Sequence, residues 1–517
     1  MGDDSDGAFS SKVSLNVLTN VVRTVIMALV GFMMVPYYIG EFGLAAYAII
    51  PLITTITAYF LAMSDSLASA FTRYMAVAVG EGDMDAVNRT FTSSVVGMAK
   101  CILVMMPLVV LISAASPHVF DTGGSDPLGV QLAFLMIMVS SLMISFSACM
   151  GSVFMAYNRM YITFLGRIVH CVLQVGLVLV FFFVEGPSLA FIGVSYIVAS
   201  VVFLGIMVVN LRRVCPTLVF SRRFHDPELL RRMSGLGVWA IVAQMGSLLF
   251  IQASMIVVNL LIGSVAQGSF SIAANMISMV NTACTSIAIA ATPLVYRSYA
   301  QGDTDRMVAV LRVFTKFSGV MMAFPLVYII VFAPQVVGVW LGPGYEELYP
   351  LLYIMLPVEV AVCTSNALVN VPVVYERLRP VAITTIALGV FNVVSTMVIL
   401  EFTELGVLGA CISWAVSMAL LKLLFYPLYT SKLIIGDRRL FMGPMFWGYV
   451  SFGVLLVLGI LLTGFFTLPT TWGAVIASAL AGMAVYVLFT IRFMFNSEER
   501  DVMRSFLPGF VQRVFRI

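Results

Sequence analysis

A short polar motif occurs twice in this chain, as GEGDMDAV at residues 80–87 and as AQGDTDRMVAV at residues 300–310. Both copies contain Gly-Asp-x-Asp, and the second lies 220 residues after the first. Another pair of stretches recurs at nearly this interval, since AYNRM at 156–160 is matched by VYERL at 374–378. Two motifs that recur together indicate that the chain contains two copies of one structural unit.

The composition around these motifs is that of a membrane protein. Of the 517 residues, 61% are hydrophobic and 10% are charged, whereas a soluble domain has about 25% charged residues. Apolar runs of about 20 residues recur along the chain, and each is long enough to cross a bilayer. Helices are the expected spanning element because lipid cannot satisfy backbone hydrogen bonds. We therefore predict an all-α, polytopic membrane protein with about 14 transmembrane helices.

The predicted spans follow one another with short loops between them. They lie near residues 13–38, 42–79, 90–115, 129–152, 162–184, 188–211, 234–263, 266–296, 309–339, 349–372, 381–400, 405–429, 441–465 and 472–492. The second and eighth are too long for a straight crossing at 1.5 Å per residue. We expect these two to project from the bilayer or to kink at Pro51 and Pro293.

The repeated motifs divide the spans into two halves. Gly-Asp-x-Asp follows the second span and again the eighth, where it predicts a turn whose aspartate suits the start of the next helix. We therefore predict two pseudo-symmetric six-helix lobes, 1–211 and 234–429, with the same orientation and an axis along the membrane normal. A cytoplasmic arginine-rich linker, 212–233, joins them, and residues 430–517 add two helices and a tail.

The basic residues predict the orientation. One set of alternating loops contains Lys12, Arg89, Arg159 and the linker arginines, whereas the opposite loops contain Glu and Asp but no Lys or Arg. Basic loops are retained in the cytoplasm. Both termini are therefore expected on the cytoplasmic side.

Four stretches resemble a known family: YYIGEFGLAAYAI at 37–49, FTRYMAVAVGEGDMDAVNRTF at 71–91, YRSYAQGDTDRM at 296–307 and NSEERDVMRSFLPGF at 496–510. They are similar to the prokaryotic polysaccharide flippases of the multidrug, oligosaccharidyl-lipid and polysaccharide (MOP) exporter superfamily. The resemblance implies a V-shaped pair of lobes around a central cavity. It also implies that the protein flips a lipid-linked oligosaccharide across the cytoplasmic membrane by alternating access.

Ionisable groups within spans are functional candidates because a charge in hydrocarbon costs several kcal/mol. Asn16, Asn20 and Arg23 share one face of the first span, at i, i+4 and i+7. Arg presents a planar donor fork that suits phosphate oxygens, so we predict that Arg23 binds the phosphate or pyrophosphate of the substrate. Asn16 and Asn20 are expected beside it, with Arg73 and Lys100 as helpers that alternatively extend to the interface.

Two carboxylates within spans, Asp65 and Glu359, are candidates for ion coupling because burial favours protonation. Gln244, Asn275 and Asn366 are expected to line the cavity. The structural alternatives are polar contacts between helices, hydrogen-bonded core carboxylates and, for Arg23, an ion pair with Asp65.

No nucleotide-binding GxxxxGK[ST], HExxH or GxSxG motif is present. The seven scattered cysteines indicate neither a disulfide framework nor a metal site. We predict a secondary transporter rather than an enzyme, with no cofactor except proton or Na⁺ as coupling ion. Expected partners are a lipid-linked sugar and membrane lipids, without nucleic acid, and the monomer is expected to function. Alternatives are a multidrug or cation antiporter, a peptidoglycan-precursor flippase and, least favoured, a membrane glycosyltransferase.

Overall fold

The computed structural model describes residues 3–235, 238–437, 439–465 and 468–504, with side chains from residue 15 onward except those of residues 234–240. The described chain is all-helical, as predicted. The side chain of Lys12, and residues 505–510 of the stretch at 496–510, lie outside these residues.

Fourteen helices in the described ranges are long and apolar enough to cross a membrane, which confirms the predicted number. They are α1 (Leu15–Tyr47), α2 (Ile49–Glu81), α3 (Met84–Val119), α4 (Pro127–Ala156), α5 (Tyr161–Glu185), α6 (Leu189–Val214), α7 (Ile241–Leu261), α8 (Ser264–Ala300), α9 (Thr304–Val331), α10 (Leu348–Val374), α11 (Leu378–Phe402), α12 (Val407–Ile434), α13 (Met442–Thr463) and α14 (Trp472–Phe493). Shorter helices include Arg222–Phe224 and Pro227–Gly235 between α6 and α7, Ala333–Leu341 after α9, and the C-terminal helix Ser497–Arg504.

The two Gly-Asp-x-Asp motifs form the predicted turn and cap. Gly82 and Gly302 have φ angles of 72° and 69°, a left-handed conformation that glycine adopts without a Cβ clash. Asp83 then accepts hydrogen bonds from the N–H groups of Asp85 and Ala86, at 2.9 and 3.1 Å. Asp303 accepts one from the Arg306 N–H at 2.9 Å. The motifs therefore end α2 and α8 and begin α3 and α9.

The second repeated stretch also has one conformation in both copies. Asn158 and Glu376 have φ angles of 54° and 53°, which are uncommon for residues other than glycine. In each copy the next N–H bonds to a carbonyl five residues earlier, from Arg159 to Phe154 at 2.7 Å and from Arg377 to Pro372 at 2.8 Å. This left-handed helix end is the same at the ends of α4 and α10, so the internal repeat extends to individual backbone angles.

The first two spans are separated at Gly43, close to the predicted boundary. Gly43 is non-helical, with a φ of 76°, and helical hydrogen bonding resumes just beyond it, from the Ala48 N–H to the Leu44 carbonyl and from the Leu52 N–H to the Ala48 carbonyl, at 3.1 Å each. Pro51 lies near the start of α2. α8 runs through Pro293 as one 37-residue helix, about 55 Å long at 1.5 Å per residue. For α8, that length favours projection from the bilayer, which was one of the two predicted alternatives, over a kink.

The chain divides into two compact units, Met1–Leu248 with Gly263–Gly268, and Leu249–Ile262 with Ser269–Ile517. In the first unit α4 packs on α3 and α6, while α1 packs mainly on α5. In the second unit α9 is the central helix, packed chiefly on α13 and α10. The two helices after the repeat are therefore part of the packing around α9.

A carboxylate outside the spans joins two segments of the first unit. Asp121, in the loop after α3, accepts hydrogen bonds from the N–H groups of Gly123 at 3.0 Å and Ser264 at 2.6 Å. These backbone donors, Ser264 first, hold the pKa of Asp121 below its ordinary value. The loop is thereby fixed to the first turn of α8.

A buried ion pair attaches the C-terminal helix to the second unit. Lys316 of α9 is only 5% exposed, and its Nζ lies 2.7 and 3.0 Å from the carboxylate oxygens of Glu499. The Lys316 ammonium also lies over two aromatic rings. Its Nζ is 5.5 Å from the ring centroid of Trp447 and 5.0 Å from that of Phe495. Glu499 also accepts the Asn496 N–H at 2.9 Å, as the third residue of a helix does in a capping box.

Candidate functional site

Two arginines from neighbouring helices lie together in the first unit. Arg23 of α1 stacks its guanidinium on the ring of Phe164, with 5.1 Å from Cζ to the ring centroid. Arg167 of α5 lies one turn beyond Phe164 and stacks on Phe203 of α6 at 5.3 Å. The two guanidinium charges are close enough to repel each other. Helix spacing explains the arrangement, because Phe164 and Arg167 are three residues apart on one face.

Asp65 of α2 interacts electrostatically with Arg167. The four ion pairs of the described residues include neither arginine and not Asp65. The Nε of Arg23 is buried and donates no hydrogen bond to the described protein atoms. The structure therefore does not contain the Arg23–Asp65 ion pair, and the cluster holds two positive charges against one negative charge.

Asn16, about two turns before Arg23 on α1, is engaged in a structural contact. Its Nδ2 donates to Asn158 Oδ1 at 2.8 Å, and its Oδ1 accepts the Tyr161 N–H at 2.8 Å. Asn16 therefore fastens α1 to the connection between α4 and α5, where Asn158 has its left-handed conformation. Its predicted contact with a substrate would require these bonds to be exchanged.

The other predicted anion-binding residues are exposed. Asn20 lies next to Arg23 on α1. Arg73 shares a face of α2 with Asp65 and Ser69, at i, i+4 and i+8. Lys100 lies instead on a face of α3 with Leu103 and Val104, which are 71% and 73% exposed. An apolar exposed face of this kind suits lipid, so Lys100 fits the predicted alternative of extending to the interface.

A second cluster lies in the second unit around Glu359 of α10. Glu359 is 1% exposed, and its Oε2 accepts no hydrogen bond from the described residues. Lys422 of α12 interacts with it electrostatically and stacks on Tyr426 at 4.8 Å. Lys422 lies in a π-helical turn, Leu420–Phe425, a local widening that is frequent at functional sites. Lys422 thus lowers the cost of burying the Glu359 charge without forming an ion pair with it.

The predicted cavity residues lie in three different settings. Asn366 continues the Glu359 cluster, because its Nδ2 donates to Cys284 Sγ at 3.6 Å and that thiol contacts the Cys363 carbonyl at 3.5 Å. Asn275 of α8 is half-buried, and Gln244 of the first unit is exposed. All seven cysteines are free, and six of them are buried.

Sequence reasoning missed Arg167 and Lys422. Both lie in predicted spans, and an intramembrane charge was a sufficient signal to include them. Next to Arg167, His170 is 6% exposed, with its Nε2 3.1 Å from Ser200 Oγ. The spacing Arg167–His170 on one helix face was also available from the sequence.

A family model matches more than half of the chain, and one curated relative matches nearly all of it. Residues 13–298 match the model of a family described as polysaccharide biosynthesis protein. The chain is 22% identical over 499 residues to the uncharacterized membrane protein EpsK of Bacillus subtilis (strain 168). The match covers 95% of this chain and 97% of EpsK.

The fold is similar to those of solved transporters. An inward-facing multidrug resistance MATE family transporter of the MOP superfamily matches with a TM-score of 0.65 and 14% identity, over 86% of this chain and 98% of its own. A MOP superfamily transporter from Pyrococcus furiosus Vc1, described as having a binding pocket of reverse polarity that suggests a different function, matches with a TM-score of 0.56 and 14% identity. That match covers 86% of this chain and 96% of the Pyrococcus chain. At these identities the likeness shows the fold.

Proposed function

Because this chain belongs to the polysaccharide biosynthesis protein family and has the fold of MOP superfamily transporters, we propose that it flips a lipid-linked oligosaccharide across the cytoplasmic membrane. The substrate is a sugar on a polyprenyl phosphate or pyrophosphate, and transport proceeds by alternating access. The product is used for cell-surface polysaccharide. Both termini are cytoplasmic in this proposal, as the basic loops indicate.

The observation that carries this proposal is the excess of positive charge at Arg23 and Arg167. Two guanidinium groups within spans face one carboxylate, and no described ion pair neutralises them. An isolated charge in a membrane is costly, so an anionic ligand stabilises such a pair. Phosphate oxygens match the planar guanidinium fork, and the rings of Phe164 and Phe203 each lie against one of the two guanidinium groups.

We assign Arg23 and Arg167 to phosphate binding, with Asn20 and Arg73 along the same polar faces. Asp65 partly offsets the positive charge of the two arginines while no substrate is bound. When a phosphate binds, it supplies this negative charge in place of Asp65. Asn16 holds α1 in position through Asn158, so its contribution is to orientation. The cationic antiporter alternative requires negative charge here, whereas this cluster has the opposite sign. Phosphate binding alone does not separate sugar-carrying lipids from peptidoglycan precursors, so the assay below compares both.

Glu359 is proposed as the coupling residue, with proton or Na⁺ as the ion. Its buried Oε2 has a free acceptor position, and Lys422 provides a nearby charge whose balance changes when the ion binds. Glu359→Gln and Asp65→Asn are therefore compared in gradient-driven transport and in exchange without a gradient. Loss of the gradient effect in Glu359→Gln, with exchange retained, supports coupling at Glu359. Full gradient-driven transport in both variants removes these carboxylates from the mechanism.

The experiment for the anion site measures flipping of a lipid-linked oligosaccharide in reconstituted vesicles. Arg23→Ala and Arg167→Ala are expected to reduce the rate about tenfold or more, the value of a charge-assisted hydrogen bond. The corresponding Lys variants are expected to retain part of the rate because charge remains while the fork is lost. Arg89→Ala, which removes an exposed arginine from the first two turns of α3, serves as the control.

The double variant Arg23→Ala/Asp65→Ala distinguishes substrate binding from internal charge balance. If Arg23 only offsets Asp65, removing both charges restores flipping, because neither group is left uncompensated. We expect the double variant to stay impaired. Restored flipping, or an Arg23→Ala protein with the normal rate, contradicts the assignment. A lipid-linked peptidoglycan precursor and a cationic dye are tested alongside as the two alternative substrates.

A further inference from the structure

The segment between α6 and α7 presents an unbalanced basic surface on a fixed backbone. We call the linker surface the set of exposed side chains formed by Arg212, Arg213, Val219, Phe220, Arg222 and Arg223. Arg212 and Arg213 occupy the last turn of α6, and Arg222 and Arg223 belong to the one-turn helix Arg222–Phe224. The two arginine pairs therefore flank an apolar pair.

The backbone that bears this surface is attached to α3 at two places. The Val219 N–H donates to Asn88 Oδ1 at 2.9 Å, and the Asp226 N–H donates to Ser93 Oγ at 3.1 Å. Asn88 and Ser93 are 6% and 0% exposed. Because both acceptors are buried in the helix bundle, the linker has a defined position and is not a flexible tether.

The apolar side chains of the linker differ in burial. In the helix Pro227–Gly235, Met233 is fully buried and packs in one cluster with Phe71 and Met98. Val219 and Phe220, by contrast, are 48% and 57% exposed, although the Val219 N–H is itself one of the two hydrogen-bonded anchor points. A fixed backbone thus holds two apolar side chains outward, which is unfavourable in water.

The acidic residues of the linker do not neutralise its arginine pairs. Glu228 forms its ion pair with Arg232 at 2.6 Å. Asp226 caps the following helix, since its Oδ1 accepts the N–H groups of Glu228 and Leu229 at 3.0 Å each. No ion pair involves Arg212, Arg213, Arg222 or Arg223 within the ranges that the structure describes.

We propose that the linker surface binds anionic phospholipid of the membrane leaflet at the end of α6. The last turn of a spanning helix lies at the headgroup level, so Arg212 and Arg213 are placed where lipid phosphates are. Phe220 and Val219 enter the boundary between headgroups and acyl chains, and Arg222 and Arg223 bind headgroups beyond them. A soluble polyanion would leave the apolar pair in water, which is why lipid is the favoured occupant.

This surface is distinct from the phosphate site at Arg23 and Arg167 and does not depend on which substrate is carried. Its expected role is to hold the linker, and through Asn88 and Ser93 the first turns of α3, against the bilayer. Anionic lipid should therefore stabilise the protein specifically through the linker arginines.

The test measures lipid binding to the purified full chain in neutral detergent micelles. Phosphatidylglycerol and phosphatidylcholine are titrated in parallel, and bound lipids are counted by native mass spectrometry while thermal unfolding is followed. The variant is Arg222→Gln/Arg223→Gln. Its matched control is Arg297→Gln/Arg306→Gln, which removes two exposed arginines, one from the last turn of α8 and one from the first turn of α9.

At about 1 kcal/mol per basic residue, the linker variant should bind phosphatidylglycerol about 30-fold more weakly, while the control variant binds as the parent does. Arg222→Lys/Arg223→Lys should bind like the parent, which separates lost charge from misfolding. Phe220→Ser, added to the Arg222→Gln/Arg223→Gln variant, should weaken binding of phosphatidylglycerol beyond the loss caused by the two arginine substitutions. Equal losses in the linker and control variants overturn the proposal, as does unchanged binding in the linker variant. Displacement of the lipid by millimolar inorganic phosphate shows a soluble-anion site and also overturns it.

Discussion

At the scale of single residues, the chain holds its intramembrane charges in two different ways. Lys316 has a direct carboxylate partner in Glu499, and the aromatic rings of Trp447 and Phe495 complete its surroundings. Arg23 and Arg167 have aromatic contacts of the same kind but no ion pair within the described residues. The first arrangement suits a structural contact. The second leaves donors for a ligand, so the difference in partners, rather than the charge itself, separates the two roles.

The Lys316–Glu499 pair predicts a specific pattern of stability. Glu499→Gln keeps an acceptor for the Asn496 N–H but removes the charge, and should lower the free energy of unfolding by about 3 kcal/mol. Lys316→Met/Glu499→Gln should recover most of this loss, because no buried charge then lacks a partner. The measurement is denaturant unfolding in detergent. Arg504→Gln, at an exposed pair with Asp501, is the control and should change stability by less than about 1 kcal/mol. Equal losses in the single and double variants contradict the prediction.

At the scale of elements, the repeated motif fixes where helices end. Gly82 has a left-handed φ and Gly80, two residues earlier, is helical, while an added Cβ meets nothing within 4 Å at either position. The two sites therefore differ in backbone conformation alone. The pair offers a direct measure of what the turn requires.

We expect Gly82→Ala to lower stability by about 1 kcal/mol, the cost of a left-handed residue with a side chain. Gly80→Ala should raise stability by up to about 1 kcal/mol, because alanine loses less backbone entropy in a helix. Thermal unfolding of both variants in one detergent measures the difference. A shift of the same sign for both would mean that the turn conformation is not the determining factor.

Asp121 predicts a pH dependence at the loop after α3. Hydrogen bonds from Ser264 and Gly123 lower its pKa in the folded chain, so its stabilising contribution is present above the ordinary value of about 3.9. That contribution is lost as the pH falls below this value towards the folded pKa. The melting-temperature difference between the parent and Asp121→Asn should therefore shrink below about pH 4. Glu185→Gln, which alters an exposed carboxylate at the end of α5, is the control.

At the scale of the whole molecule, the predicted orientation can be read by chemical labelling. Single cysteines placed near Gly123 and Tyr345 should react with a membrane-impermeant thiol reagent added outside, and cysteines placed near Gly82 and Gly302 should react only after permeabilisation. Six native cysteines are buried and Cys101 is half-buried, so Cys101→Ser provides a suitable background. Reaction of the Gly82 and Gly302 sites from outside would reverse the orientation and the proposed direction of transport.

Much of the fold was predictable because its determinants are local. Apolar run length identified the fourteen spans, and Gly-Asp-x-Asp identified two helix starts from four consecutive residues. The boundary between the first two spans was predicted within a few residues of Gly43, where the helix breaks. The pairing of Lys316 with Glu499 was not predictable, since 183 residues separate them. The position of Arg167 near Arg23 likewise depends on how α1 packs on α5.

During synthesis, Lys316 is made long before Glu499, so the buried ion pair forms only after a delay. Lys316 enters the membrane before the 183 residues that lead to its partner exist. At 5–20 residues per second, this interval lasts roughly ten to forty seconds. For that time the ammonium depends on water, headgroups or the insertion machinery for its solvation, and the rings of Trp447 and Phe495 arrive only late. A chain stopped after Phe495 never acquires the carboxylate, so pulse–chase labelling should show faster degradation of that chain than of its Lys316→Met counterpart. Equal lifetimes would mean that other groups stabilise the Lys316 ammonium sufficiently without Glu499.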